Sequence, residues 1–181
     1  MATTWRRPDF LVNLGPLADL SAAAQASDLT FADIGWLAEI SGLPVVVKGV
    51  LRGDDAAACA AHGAAAVIVS NHGGRQLDGA IPAAAALPPV VAALNSGPAA
   101  TARPAYADGG LRTGDDVLAA LALGAGAVFV GRPVLWALAC GGADGVGELL
   151  MALTAGLAHS MALAGAASLG QIPALQLTAR P

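Results

Sequence analysis

Charge is scarce in this chain. Of 181 residues only 12% are Asp, Glu, Lys or Arg, against roughly 25% in an average soluble domain. The 9 basic residues are outnumbered by 13 acidic ones, a formal charge of −4. No broad cationic surface exists to neutralise a phosphodiester backbone, so nucleic acid is excluded as an expected partner. Cysteine is nearly absent too: Cys59 and Cys140 stand far apart with no C-x-x-C or His–Cys cluster around them. That excludes a disulfide framework and a zinc site, and both thiols read as small buried hydrophobes of a reducing, cytoplasmic compartment. The first twenty residues lack the continuous apolar core of a secretory signal. What the chain does have is apolar residues, 56% of the total, and that excludes intrinsic disorder.

One long stretch without charge, from Leu149 to Leu169, is long enough to cross a bilayer. Alanine dominates it, and Thr154, Gly156, His159 and Ser160 stand near its middle. Alanine contributes little to insertion, so no stable membrane span is expected. A helix buried against the rest of a soluble domain is expected in its place.

Strand and helix signals alternate. Thr30 and Asp33 are placed to cap a helix carrying Ile34, Leu37 and Ile40, which Gly42 ends. Residues 44–47 (PVVV) predict a strand buried on both faces, and a helix over 54–61 follows, with Gly63 as its stop. The pattern then repeats: a strand over 66–69, a polar loop from Ser70 to Gly79, and a helix starting near Pro82. A weaker strand over 105–107, a helix from about Asp115 to Leu123 and a strand over 128–130 complete the series. The first-to-second and third-to-fourth strand spacings, both about 22 residues, suit βα units with short loops, so a parallel α/β sheet is expected. Residues 1–28 carry no clear period and read as an irregular arm; residues 96–103 read as a longer flexible insertion.

Each polar cluster follows a strand, at the end of a parallel sheet where loops and helix N-termini converge. Gly109, Gly110 and Arg112 follow the third strand, and Gly131 and Arg132 follow the fourth. Glycines let backbone amides approach a ligand and guanidinium groups grip phosphate, so the pair of loops has the form of a phosphate site. Either loop alone could equally be a tight turn with a surface charge. His72 can take a proton at neutral pH, and Arg75, three residues on, can hold a carboxylate. A loop histidine bonded to backbone is the competing reading. Lys48, at the tip of an apolar strand, calls for an anionic partner. His62 and His159 sit in helical contexts and read as structural or surface residues.

At these residues the chain resembles the FMN-dependent α-hydroxy acid oxidases and dehydrogenases, a family that includes glycolate and lactate oxidases. The resemblance is carried by LPVVVKGVLRGDDA (43–56), AVIVSNHGGRQLDG (66–79), ADGGLRTGDDVLAALALGA (107–125), VFVGRP (128–133) and MALAGAASLGQI (161–172). It implies an FMN-binding fold over residues 29–181, the C-terminal half of a (β/α)8 barrel with about four βα units. By resemblance Lys48 lies against the flavin and stabilises negative charge on the reduced ring, and Ser70 is a flavin contact. His72 would be the base that takes a proton from a 2-hydroxy acid, and Arg75 would hold its carboxylate. Asp108, Gly109, Gly110, Arg112, Gly131 and Arg132 would bind the ribityl chain and phosphate of FMN.

A complete barrel of this kind needs roughly 250 residues, and family members carry four further strands before the first one here. The tyrosines of the substrate site, the aspartate that orients the histidine and part of the flavin cover belong to that first half. Four strands cannot close a barrel. They leave two edges and an apolar inner face open, so a homo-oligomer or a complementing N-terminal half is expected as partner. Two functional expectations stand: FMN-dependent oxidation of a 2-hydroxy acid to a 2-oxo acid, and a non-catalytic half-barrel that keeps only a phosphate- or FMN-binding surface.

Overall fold

The structure is a computed structural model, and it describes residues 28–96 and 103–175. The expected arm over 1–28 and most of the insertion over 96–103 lie outside the described residues. From Phe31 onwards the chain forms one compact unit.

Four strands, β1 (Val46–Val50), β2 (Ala66–Val69), β3 (Ala105–Asp108) and β4 (Ala127–Phe129), make one sheet in the order β1-β2-β3-β4. All three pairings are parallel. Helices α1 (Ala32–Ser41), α2 (Gly53–Ala61), α3 (Ala83–Asn95), α4 (Gly114–Ala122) and α5 (Arg132–Leu163) alternate with them. The period-2 alternation of side chains separates the two faces of the sheet. Val67, Val69, Ala105 and Ala107 are buried in a core shared with Ala86, Leu87 and Val90 of α3. Residues on the alternate positions, among them Val46, Lys48, Tyr106 and Phe129, are exposed or half-buried. Phe129 packs edge-on against Tyr106 across the strand pair and is still 48% exposed. Among the described residues β1 and β4 each have one neighbour, so both edges and the inner face stay open.

The elements start close to where the residue pattern places them, with informative differences. Helix α1 begins at Ala32 with Phe31 in the capping position, not Thr30. Gly42 ends it in the left-handed region (φ 65°), as expected. Strand β1 starts two residues later than the PVVV run and continues past Lys48 to Val50, because Gly49 (φ 102°) allows a bulge that keeps pairing with β2. Lys48 therefore stands within a strand, on its inner face, instead of at the tip.

The apolar stretch behaves differently from expectation. Helix α5 is 32 residues long, bends at Gly142 (φ 60°, ψ −146°), and buries only Pro133 and Ser160 fully. Length and composition alone would let it cross a membrane. Half-buried Leu149, Leu153, Gly156 and Leu157, with buried Ser160, follow a helical stripe, and that stripe is what packs on α4. There is no room for a side chain where the helices cross: a Cβ on Gly114 would lie 2.1 Å from backbone atoms of Gly156 and Leu157. The Ser160 hydroxyl joins the helices through the Asp115 carboxylate. Most of the remaining α5 positions are exposed, so the expected buried helix is a one-sided one. Cys140 lies on its exposed part while Cys59 is on the buried face of α2, which corrects the expectation that both thiols are buried.

Candidate FMN and substrate site

The ends of the four strands open into one cavity of about 470 Å³. Lys48 is held there by two contacts across the sheet: its ammonium lies 3.1 Å from Asp108 Oδ2 and donates to Ser70 Oγ at 2.9 Å. The second carboxylate oxygen, Asp108 Oδ1, is buried and has no hydrogen-bond partner. A buried acceptor of this kind calls for a donor. Ser70 is itself buried and stands behind the cavity wall, where its hydroxyl also accepts from the His72 amide at 3.1 Å. One side chain thus ties the lysine of β1 to the loop after β2.

That loop is built around a strained residue. His72 has φ 56° and is the one non-glycine among the described residues in the left-handed region, a conformation that costs roughly 1 kcal/mol. Gly73 and Gly74 continue it at φ 68° and 74°. Asn71 supports the turn: its side-chain oxygen accepts from Gly73 N at 3.0 Å and its carbonyl accepts from Gly74 N at 3.0 Å. The turn presents His72 and Arg75 to the cavity. Arg132 reaches it from the first turn of α5, with a guanidinium nitrogen 3.6 Å from where a Cβ on Gly73 would stand.

The opposite wall comes from the loops after β3 and β4. Gly109 and Gly110 have φ 92° and 81°, which favour glycine, and a Cβ on Gly110 or Gly131 would meet open space. Gly131 caps α5, whose first turn lines the cavity through Arg132, Val134 and Leu135. Pro133 has no amide hydrogen and the Val134 and Leu135 amides donate to the Gly131 carbonyl at 3.0 and 3.4 Å, so this helix end brings the positive end of its dipole to the cavity beside Arg132. Arg112 is fixed by its surroundings. Its amide donates to Asp116 Oδ2 at 2.9 Å, the same carboxylate that closes the capping box of α4 with Thr113. Its guanidinium donates to the Leu111 carbonyl at 2.7 Å and lies 5.1 Å over the ring of Trp136.

Of the residues singled out in the sequence, Lys48, His72, Arg75, Asp108, Gly109, Gly110, Arg112, Gly131 and Arg132 line this single cavity. Ser70 does not line it and acts on Lys48 and His72 from behind. His62 lies outside: its ring Nδ1 donates to the Ala58 carbonyl at 2.8 Å and the ring stacks on Phe31. Two residues were missed, Asn71 and Trp136. An Asx residue before a glycine pair is a turn signal for the first. For the second, the signal is a ring one helical turn beyond Arg132.

Parallel strands whose ends gather a lysine, an imidazole, three guanidinium groups and a glycine-lined anion cradle define part of a (β/α)8 barrel with a phosphate-bearing ligand site. The comparisons agree. Residues 9–179 match the FMN-dependent dehydrogenase family, and the chain belongs to that family. It is 53% identical over 144 residues to an L-lactate oxidase of Nostoc sp., covering 80% of this chain and 38% of that protein. It is 46% identical over 147 residues to 2-hydroxyacid oxidase 2 of Homo sapiens, covering 81% and 40%. Among solved structures, a lactate oxidase of Pediococcus acidilactici superposes with a TM-score of 0.81 at 36% identity, over 91% of this chain and 45% of that one. A mandelate oxidase with (S)-4-hydroxymandelic acid gives 0.76 at 45% identity, over 82% and 40%. The chain therefore spans about 40% of the length of these curated relatives, and its four-stranded sheet corresponds to part of their barrels.

Proposed function

We propose that this chain carries the FMN-phosphate site and the proton-accepting and carboxylate-binding groups of an enzyme that oxidises a small 2-hydroxy acid to a 2-oxo acid. One observation carries the reading: His72, Arg75, Lys48 and both glycine–arginine loops converge on one cavity. The residues present fit FMN. The buried, unpartnered Asp108 Oδ1 suits a ribityl hydroxyl donor, and the Gly109–Arg112 and Gly131–Arg132 loops suit the phosphate. When bound, FMN supplies the two-electron acceptor for the hydrogen on the alcohol carbon.

Arg75 pairs with the substrate carboxylate and fixes the molecule beside His72. His72 takes the hydroxyl proton as the carbon–hydrogen bond gives up its electron pair, leaving a carbonyl in the product. Its left-handed backbone and the Asn71 turn hold the ring in place so that little reorganisation accompanies the transfer. The Lys48 ammonium, held by Asp108 and Ser70, would supply positive charge that stabilises negative charge on the bound cofactor. The relatives' names, lactate, 2-hydroxyacid and mandelate oxidases, support this substrate class.

The open inner face and sheet edges make a complementing four-stranded half, or a second copy, the expected partner. The test is co-expression with the first four βα units of a related oxidase. The expected product is a yellow complex that converts a 2-hydroxy acid to its 2-oxo acid, and His72→Ala retains the colour but loses at least a hundredfold in turnover. A complex that holds FMN and turns over equally well with His72→Ala overturns the role given to His72. A complex that takes up no FMN overturns the whole reading.

A further inference from the structure

We infer that Trp136 is a positioning residue for the anion site: it holds Arg112 in the orientation that grips the cofactor's phosphate. The inference rests on the phosphate reading of the two glycine–arginine loops.

Helix α5 begins at Arg132, and Trp136 follows four residues later, on the same side of the helix one turn along. A single helical turn therefore brings one guanidinium to the cavity directly and supplies the platform for the other. The Arg112 guanidinium carbon lies 5.1 Å from the centre of the Trp136 ring, within the range of a cation–π contact. Trp136 is 53% exposed and is absent from the cavity wall. Its ring is therefore not there for core packing, nor for direct ligand contact.

An arginine side chain has several rotatable bonds, and ordering it on ligand binding costs affinity. Three contacts order Arg112 beforehand. Asp116 fixes its backbone amide, the Leu111 carbonyl takes one guanidinium N–H, and the indole face covers the guanidinium plane. The first two use one backbone and one edge donor, which leaves donors of the planar fork for an anion. Without the ring, the guanidinium is tethered by its hydrogen bond to the Leu111 carbonyl, and the fork can swing away from Arg132. Two like charges brought to one cavity repel, which favours that swing. The electron-rich indole face opposes it.

The experiment compares FMN with riboflavin, which lacks the phosphate, by quenching of flavin fluorescence on titration with the full chain. Wild-type chain is expected to prefer FMN over riboflavin. Trp136→Ala is expected to lower FMN affinity about three- to tenfold with riboflavin affinity unchanged, and Trp136→Phe to retain most of the preference. Arg112→Ala combined with Trp136→Ala should lose no more than Arg112→Ala alone, because the ring acts through that guanidinium. If Trp136→Ala keeps the full preference, or lowers both affinities equally, the positioning role is overturned. If wild-type chain fails to prefer FMN, it is the phosphate reading that falls.

Discussion

The Lys48 ammonium on β1 and the Asp108 carboxylate on β3 meet at 3.1 Å across the intervening strand. The pair lies on the inner face of the sheet, with side-chain exposures of 42% and 18%. The contact spans β2 and so reports whether the three strand ends are correctly assembled.

Asp108→Asn removes the negative partner and leaves Lys48 with Ser70 alone. Because Lys48 is well exposed, the loss of stability is expected to be only about 1 kcal/mol, read as a shift in the urea midpoint at unchanged slope. FMN affinity falls as well, since the variant presents one acceptor fewer to the cofactor. An unchanged affinity would separate Asp108 from the cofactor site.

Gly114→Ala is expected to be the most damaging small substitution on the helix side. Its methyl group has no space at 2.1 Å from the α5 backbone, so α4 and α5 must part, at a cost of about 3 kcal/mol or more. Gly156→Ala meets its nearest neighbour at 3.2 Å and should cost distinctly less. Thermal melts of the two variants give the ranking.

Asn71→Ala removes the acceptor that holds the Gly73 amide, and the left-handed His72 loses support. Global stability is expected to change by about 1 kcal/mol, while turnover of the completed enzyme falls about tenfold or more through misplacement of the imidazole. Equal loss in flavin binding and turnover would instead point to a general disruption of the loop.

The two thiols should differ in reactivity. Cys140 is exposed and Cys59 buried, and burial, with a smaller contribution from Asp55, pushes the Cys59 pKa up. A thiol reagent at pH 8 is expected to label one cysteine in the folded chain and two in denaturant. The raised value also sets a pH dependence. The neutral thiol is favoured by folding, so its contribution to stability is full below the ordinary thiol range and is lost as pH rises through that range towards the raised value. Cys59→Ala should flatten this alkaline decline in a denaturation series.

The local signals in the sequence were strong because the chemistry sits in short contiguous segments. The β-branched runs, the glycine stops at Gly42 and Gly63, and the clusters following each strand gave the parallel α/β order and nine of the cavity-lining residues. Ser70 was also picked out, but only its burial and its two hydrogen bonds show that it works on Lys48 and His72 from behind. Phe31 in place of Thr30 at the start of α1, and the bulge at Gly49, are choices among near-equivalent local conformations, which a residue pattern does not resolve.

What the order of residues determined by itself is the repeating βα unit and the identity of the reactive side chains, since both depend on neighbours along the chain. The tertiary structure alone decided that Trp136 lies under Arg112, that Lys48 is shared between Asp108 and Ser70, and that Gly114 touches Gly156. These contacts join residues 22 to 60 positions apart, so strand register and helix crossing fix them, and no periodicity along the chain encodes either. The same holds for α5. Its composition suits burial on every side, yet the element beside it covers only one stripe.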